Sequence, residues 1–184
     1  MNNINEKLAQ MSGGEVIAID VPADGIMRAN VEIIKNLHAQ GYVGVYIALS
    51  KNYQELAQIF DYAGIDKTKL YIVDGISNVY GSALSKLPNV KYVDSPSAIK
   101  TIDGAVKDFL DTIQGDKKFV LLDSATVLLL YNSFEQVVSL CGMLSERAKK
   151  DRSVCIIMSL FLGVPNKKMS EGLVAVVDEF VSFS

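Results

Sequence analysis

Residues Gly13–Leu49 read GGEVIAIDVPADGIMRANVEIIKNLHAQGYVGVYIAL. The apolar run EVIAI is followed at once by the tight, glycine-containing loop Asp20–Gly25, and that loop by a long helical pattern. Gly41 then stops the helix and a second apolar run, YVGVYIAL, begins. The order is strand, loop, helix, strand, and both runs are rich in Val and Ile rather than alternating in polarity. Strands of that kind are buried on both faces, which predicts a mainly parallel sheet covered by helices on each side.

The same alternation continues along the chain. Strands are expected at Glu15–Asp20, Val43–Leu49, Leu70–Val73, Val90–Val93, Phe119–Asp123, Val154–Leu160 and Ala175–Phe183. Asn52 followed by Glu55 has the form of a capping box and opens a helix that ends near Gly64. Ser95-Pro96 starts another, whose apolar positions Ile99, Ile102, Val106, Phe109, Leu110 and Ile113 share one face. Ser133 with Gln136 caps a third, with Phe134, Val137, Val138, Cys141 and Leu144 as its buried stripe. No internal repeat interrupts the pattern, and 184 residues suit a single domain spanning 1–184.

Composition narrows the function classes. Net charge is −3, and no Lys/Arg tract exceeds a pair, so the basic footprint of a nucleic-acid binder is missing. The amino terminus is polar, and the longest apolar run, Val154–Val164, is well short of the ~20 residues that span a bilayer. Cys141 and Cys155 lie inside apolar patterns and read as small core residues in a reducing compartment, with a disulfide between them the lesser reading. These features place the expected protein in the cytoplasm, with no membrane partner. The apolar fraction of 49% leaves room for a surface covered by another protein.

A strand, a Gly-containing loop and a helix are the setting of a phosphate-binding loop. Its pattern, G-x-x-x-x-G-K-[ST], puts Lys on the β/γ-phosphates and a hydroxyl on Mg²⁺. Three segments together resemble the KaiC-like branch of the RecA superfamily of ATPases. Gly13–Leu49 is similar to that family's first strand, phosphate loop, helix and second strand. KFVLLDSATVLLLYNSFEQVV, from Lys118, resembles its Walker B strand with the apolar segment and helix that follow; LVAVVDEFVSF, from Leu173, resembles its closing strand after a short hairpin. The resemblance implies a RecA-like three-layer α/β fold and, since such ATPases work as rings or filaments, self-association.

Carried over by position, the resemblance implies a degenerate Walker A loop. Asp20 stands where the first Gly belongs, Ala23 replaces another Gly, and Gly25 is retained. Ile26 takes the place of the phosphate-binding Lys, and Met27 that of the Mg²⁺-binding hydroxyl. Ser50 and Lys51 replace the acidic pair that activates water, while the Walker B carboxylate is kept as Asp123, followed by Ser124. Phosphoryl transfer rests on positioning and on neutralising developing charge. Loss of the Lys, the hydroxyl and the acidic pair, with Asp20 and Asp24 adding negative charge, predicts no hydrolysis: a pseudo-ATPase with no cofactor.

A remnant nucleotide or anion site would then comprise Asp20, Pro22, Gly25, Ile26, Met27, Asp123 and Ser124, with Asp123 meeting Mg²⁺ only beside a bound nucleotide. Each residue also has a plainer reading. Asp123 is a strand-end carboxylate able to cap the next turn. Gly25 is a turn glycine beside an Asp24 helix cap, while Arg28 and Lys51 are solvated cations. His38 is a half-exposed helix residue. The run Thr126–Tyr131 is either core or an exposed apolar patch, and SKNYQE and LGVPNKKMSEG are polar rim loops. The leading expectation is a catalytically inactive binding or regulatory module that contacts proteins, either itself or an active homologous ATPase. The alternative is a nucleotide- or anion-binding sensor that does not hydrolyse. An enzyme with other chemistry in the same cleft ranks third, because the sequence supplies no nucleophile–base pair.

Overall fold

The structure is a computed structural model, and it describes residues 4–81, 86–161 and 171–182. Seven strands form one sheet: β1 Val16–Asp20, β2 Val43–Ala48, β3 Leu70–Asp74, β4 Val90–Tyr92, β5 Lys118–Asp123, β6 Val154–Leu160 and β7 Glu179–Ser182. Their order is β4-β3-β2-β5-β6-β1-β7, and every pairing is parallel. Helices cover it, among them α1 Ile4–Gln10, α2 Ile26–Ala39, α3 Tyr53–Ala63, α4 Ile99–Thr112, α5 Ala125–Leu128 and α6 Phe134–Lys150.

Period-two alternation divides the core between the two faces. Ile17, Ile19, Tyr46, Phe119, Leu121 and Ile157 pack against α1, α2 and α3. Val16, Ala18, Val45, Ile47, Val120, Leu122, Ile156 and Met158 pack against α4 and α6. β1, β2, β3, β5 and β6 are buried on both sides, as their unbroken apolar runs predict, while the edge strands β4 and β7 keep partly exposed positions.

The helix boundaries follow their caps. Asn52 and Glu55 form the expected capping box on α3, which ends at Gly64 in the left-handed conformation (φ 70°) that glycine adopts without penalty. Ser133 and Gln136 form the corresponding box on α6. The helix expected at Ser95-Pro96 starts later: the Ser95 hydroxyl and carbonyl accept from the amides of Ser97 and Ala98, and α4 begins at Ile99. A local side-chain turn has taken the amides that a helix would use.

Two other expectations need correction. Ala175–Asp178 is a turn rather than strand. Leu173 is fully buried, its carbonyl accepts from Val176 and Val177, and the backbone extends only after Asp178 has bonded to Val16 through both amide and carboxylate. The closing strand β7 lies parallel to β1, and the short hairpin expected before it falls largely on residues 162–170, outside the described residues. The amino-terminal segment, expected to be merely polar, contains α1, whose Ile4 and Leu8 recur at helical spacing and, with Met11, seal the α2 face. Residues 162–170, which include most of the second rim loop, lie outside the described residues.

Candidate functional site

Strand order reverses direction between β2 and β5. From β2 the chain passes through α3 outward to β3; from β5 it passes through α5 and α6 to β6 on the other side. A crevice outside the strand carboxyl ends at such a point is where open α/β sheets bind ligands. Asp123 ends β5 in register with Ala48 of β2 and projects to the α2 face.

Asp123 is only 1% exposed. Its Oδ2 accepts from the Tyr46 hydroxyl and, at 3.0 Å, from the Ser50 hydroxyl. Asn30 of α2 donates through Nδ2 to the Tyr46 oxygen at 3.2 Å, and its own Oδ1 accepts from Ser159 of β6 at 2.7 Å. Five side chains from α2, β2, β5, β6 and the β2–α3 loop thus form one polar chain, four of them buried and Ser50 at its exposed end. Oδ1 of Asp123 is buried with no partner among the described residues. Burial raises the Asp123 carboxyl above the usual carboxylate range, opposed by the hydrogen bonds from Tyr46 and Ser50, by the nearby Asn30 amide and by the charge of Lys51. Burial, reinforced by the neighbouring carboxylate, holds the Tyr46 phenol protonated well above its ordinary value.

The loop after β1 takes a different form from an open phosphate cradle. Val21 donates to Leu160, and Ala23–Gly25 make a 3-10 turn in which the Gly25 amide donates to Pro22. Gly25 itself is the N-cap of α2, and no side chain caps that helix, so the expected Asp24 cap is not formed. Gly25 has φ −100°, and a Cβ there would meet nothing nearer than 3.7 Å. Neither a left-handed turn nor a close approach requires a glycine at this position. Ile26 and Met27 are half-buried against the α2-side core. Pro22 is exposed, and alternation along β1 sends Asp20 to the α4 and α6 face, away from Asp123.

Ser124 acts locally, where its hydroxyl accepts from the Val127 amide and caps α5. It is this residue, rather than Asp123, that caps the turn after β5. Arg28 is exposed and pairs with Glu32, whereas Lys51 is half-buried beside Asp123. His38 is half-buried with its ring 6.0 Å from Phe119, and burial, aided by the charge of Lys69, lowers its pKa. The segment Thr126–Tyr131 contains both expected environments. Leu128 is fully buried, while Leu130 is 79% and Tyr131 38% exposed.

Sequence reasoning missed Asn30, Tyr46, Ser159 and Asp74. The first three carried a signal, because each is a polar side chain on an otherwise buried stripe: Asn30 between Ala29 and Ile33, Tyr46 between Val45 and Ile47, Ser159 within β6. Asp74 ends β3 fully buried and accepts four hydrogen bonds, from the amides of Tyr53, Ile76 and Ser77 and the Ser77 hydroxyl. Both its oxygens are satisfied, unlike those of Asp123, and it serves the loop geometry.

The profile of a family of unknown function, DUF7090, matches residues 4–183. The chain belongs to that family. No curated protein matches the sequence. Among solved structures, this DUF7090 chain is similar to an uncharacterized protein, PH0321, from Pyrococcus horikoshii, crystallised in complex with an unknown peptide. The two share 15% identity at a TM-score of 0.71, over 97% of this chain and 81% of that one. It is also similar to PH0250 from the same organism, with 13% identity and a TM-score of 0.61 over 99% and 88% of the two chains. A third is the KaiC-like protein PH0186, also from Pyrococcus horikoshii, at 11% identity and a TM-score of 0.61 over 92% and 71%. The fold is therefore the three-layer α/β fold of KaiC-like, RecA-type domains. Among the described residues no helix is long and apolar enough to cross a membrane.

Proposed function

We propose that this chain is a catalytically inactive RecA/KaiC-like domain, a pseudo-ATPase with a degenerate Walker A loop that acts as a binding or regulatory module through protein contacts. The observation that carries this reading is the state of Asp123. Its Oδ2 is engaged by two hydroxyls from the β2 side, and the carboxyl is sealed from solvent. A carboxylate that orients Mg²⁺ through water needs an accessible face, and this one is turned into the protein. Ile26 and Met27 support the same reading, because they add packing where a nucleotide site needs a cation and a hydroxyl. The residues do not fit a Mg²⁺-nucleotide.

The contact surface in this reading is the rim at the strand carboxyl edge. Val79 and Tyr80 after β3, and Leu130 and Tyr131 after α5, are exposed large apolar side chains. The loops beneath them are tied to their neighbours by Asn78 donating to the Val93 carbonyl and Asn132 donating to that of Pro96. Partners are a second copy of the chain or an active homologous ATPase, met in the cytoplasm, with the whole chain acting as one domain. One structural neighbour was crystallised with an unknown peptide, which is compatible with protein contacts on this fold. Light scattering across a concentration series, on the wild type and Leu130→Ser, tests it. Concentration-dependent association that the substitution weakens supports self-association. A strict monomer that captures no homologous ATPase in a pull-down contradicts the reading.

A second reading, a nucleotide- or anion-binding sensor, is favoured by two details at the same edge. The amino terminus of α2 has no side-chain cap, which leaves its dipole unneutralised by a carboxylate. Gly25 is retained at that terminus, where backbone amides need no side chain to meet an anion.

A further inference from the structure

We draw no further inference here: the strongest candidate, the open groove of about 550 Å³ between the first turns of α4 and α6, lined by Lys100, Thr101 and Ser139, rests on the uncapped amino terminus of α4 with no second observation that points to a ligand.

Discussion

Replacing Tyr46 by Phe removes one hydroxyl from the buried chain and leaves the ring in place. The T-shaped contact with Phe60, at 5.7 Å and 81°, is retained, so the packing cost is small. What is lost is the hydrogen bond to Asp123 and the acceptor for Asn30 Nδ2. Removing one partner from a buried polar group costs about 1–3 kcal/mol, and both remaining groups are fully buried. We therefore expect a loss of about 2 kcal/mol, which for a domain of this size is a fall in Tm of roughly 4–8 °C. Urea denaturation followed by circular dichroism gives the first quantity and a thermal scan the second. Tyr62→Phe, at a side chain 97% exposed, is the control and should lie within about 0.5 kcal/mol of wild type. A double-mutant cycle of Tyr46→Phe with Asp123→Asn should show coupling of about 0.5–3 kcal/mol. If Tyr46→Phe were as mild as Tyr62→Phe, or if the two changes added independently, the network would contribute nothing and the reasoning would be wrong.

The pH dependence of Asp123→Asn follows from the sign of its shift. Burial raises the folded-state value above the ordinary 3.8, so the folded state binds this proton more tightly than the unfolded chain. Stability from Asp123 is fully present below that ordinary value and is lost as pH rises through the folded one. The stability difference between Asp123→Asn and wild type should therefore move in favour of the variant from about pH 4 upward and then level, as read from denaturation curves over a pH series; a pH-independent difference would oppose it. Two glycines separate loop from core. Gly44→Ala drives a Cβ to within 2.3 Å of the Phe119 ring and should cost about 1–3 kcal/mol, whereas Gly25→Ala, with no atom nearer than 3.7 Å, should fold as wild type in the same assay.

The fold was legible because its signals are local and redundant. Continuous Val/Ile runs identified the strands, and the Asn52–Glu55 and Ser133–Gln136 boxes placed two helices to the residue. Ends set by tertiary contacts were less legible. Ala175–Asp178 has strand composition, yet the burial of Leu173 and the bonds between Asp178 and Val16 decide its path. Of the residues singled out in the sequence, Asp123 lies in the polar network and Ile26 and Met27 pack against the α2-side core. The network was hidden at Tyr46, Asn30 and Ser159, because these residues come from three distant segments whose polar atoms meet only once the sheet has formed. Asp20 and Asp123 end strands that look alike in sequence, but opposite phase in the alternation sends them to opposite faces.

Titration calorimetry with ATP, ADP and GTP, each with and without Mg²⁺, tests the central claim most directly. A module with a sealed Asp123 and an apolar loop predicts no heat at millimolar nucleotide. Micromolar binding that requires Mg²⁺ and disappears in Asp123→Ala would contradict it and establish the sensor reading in its place.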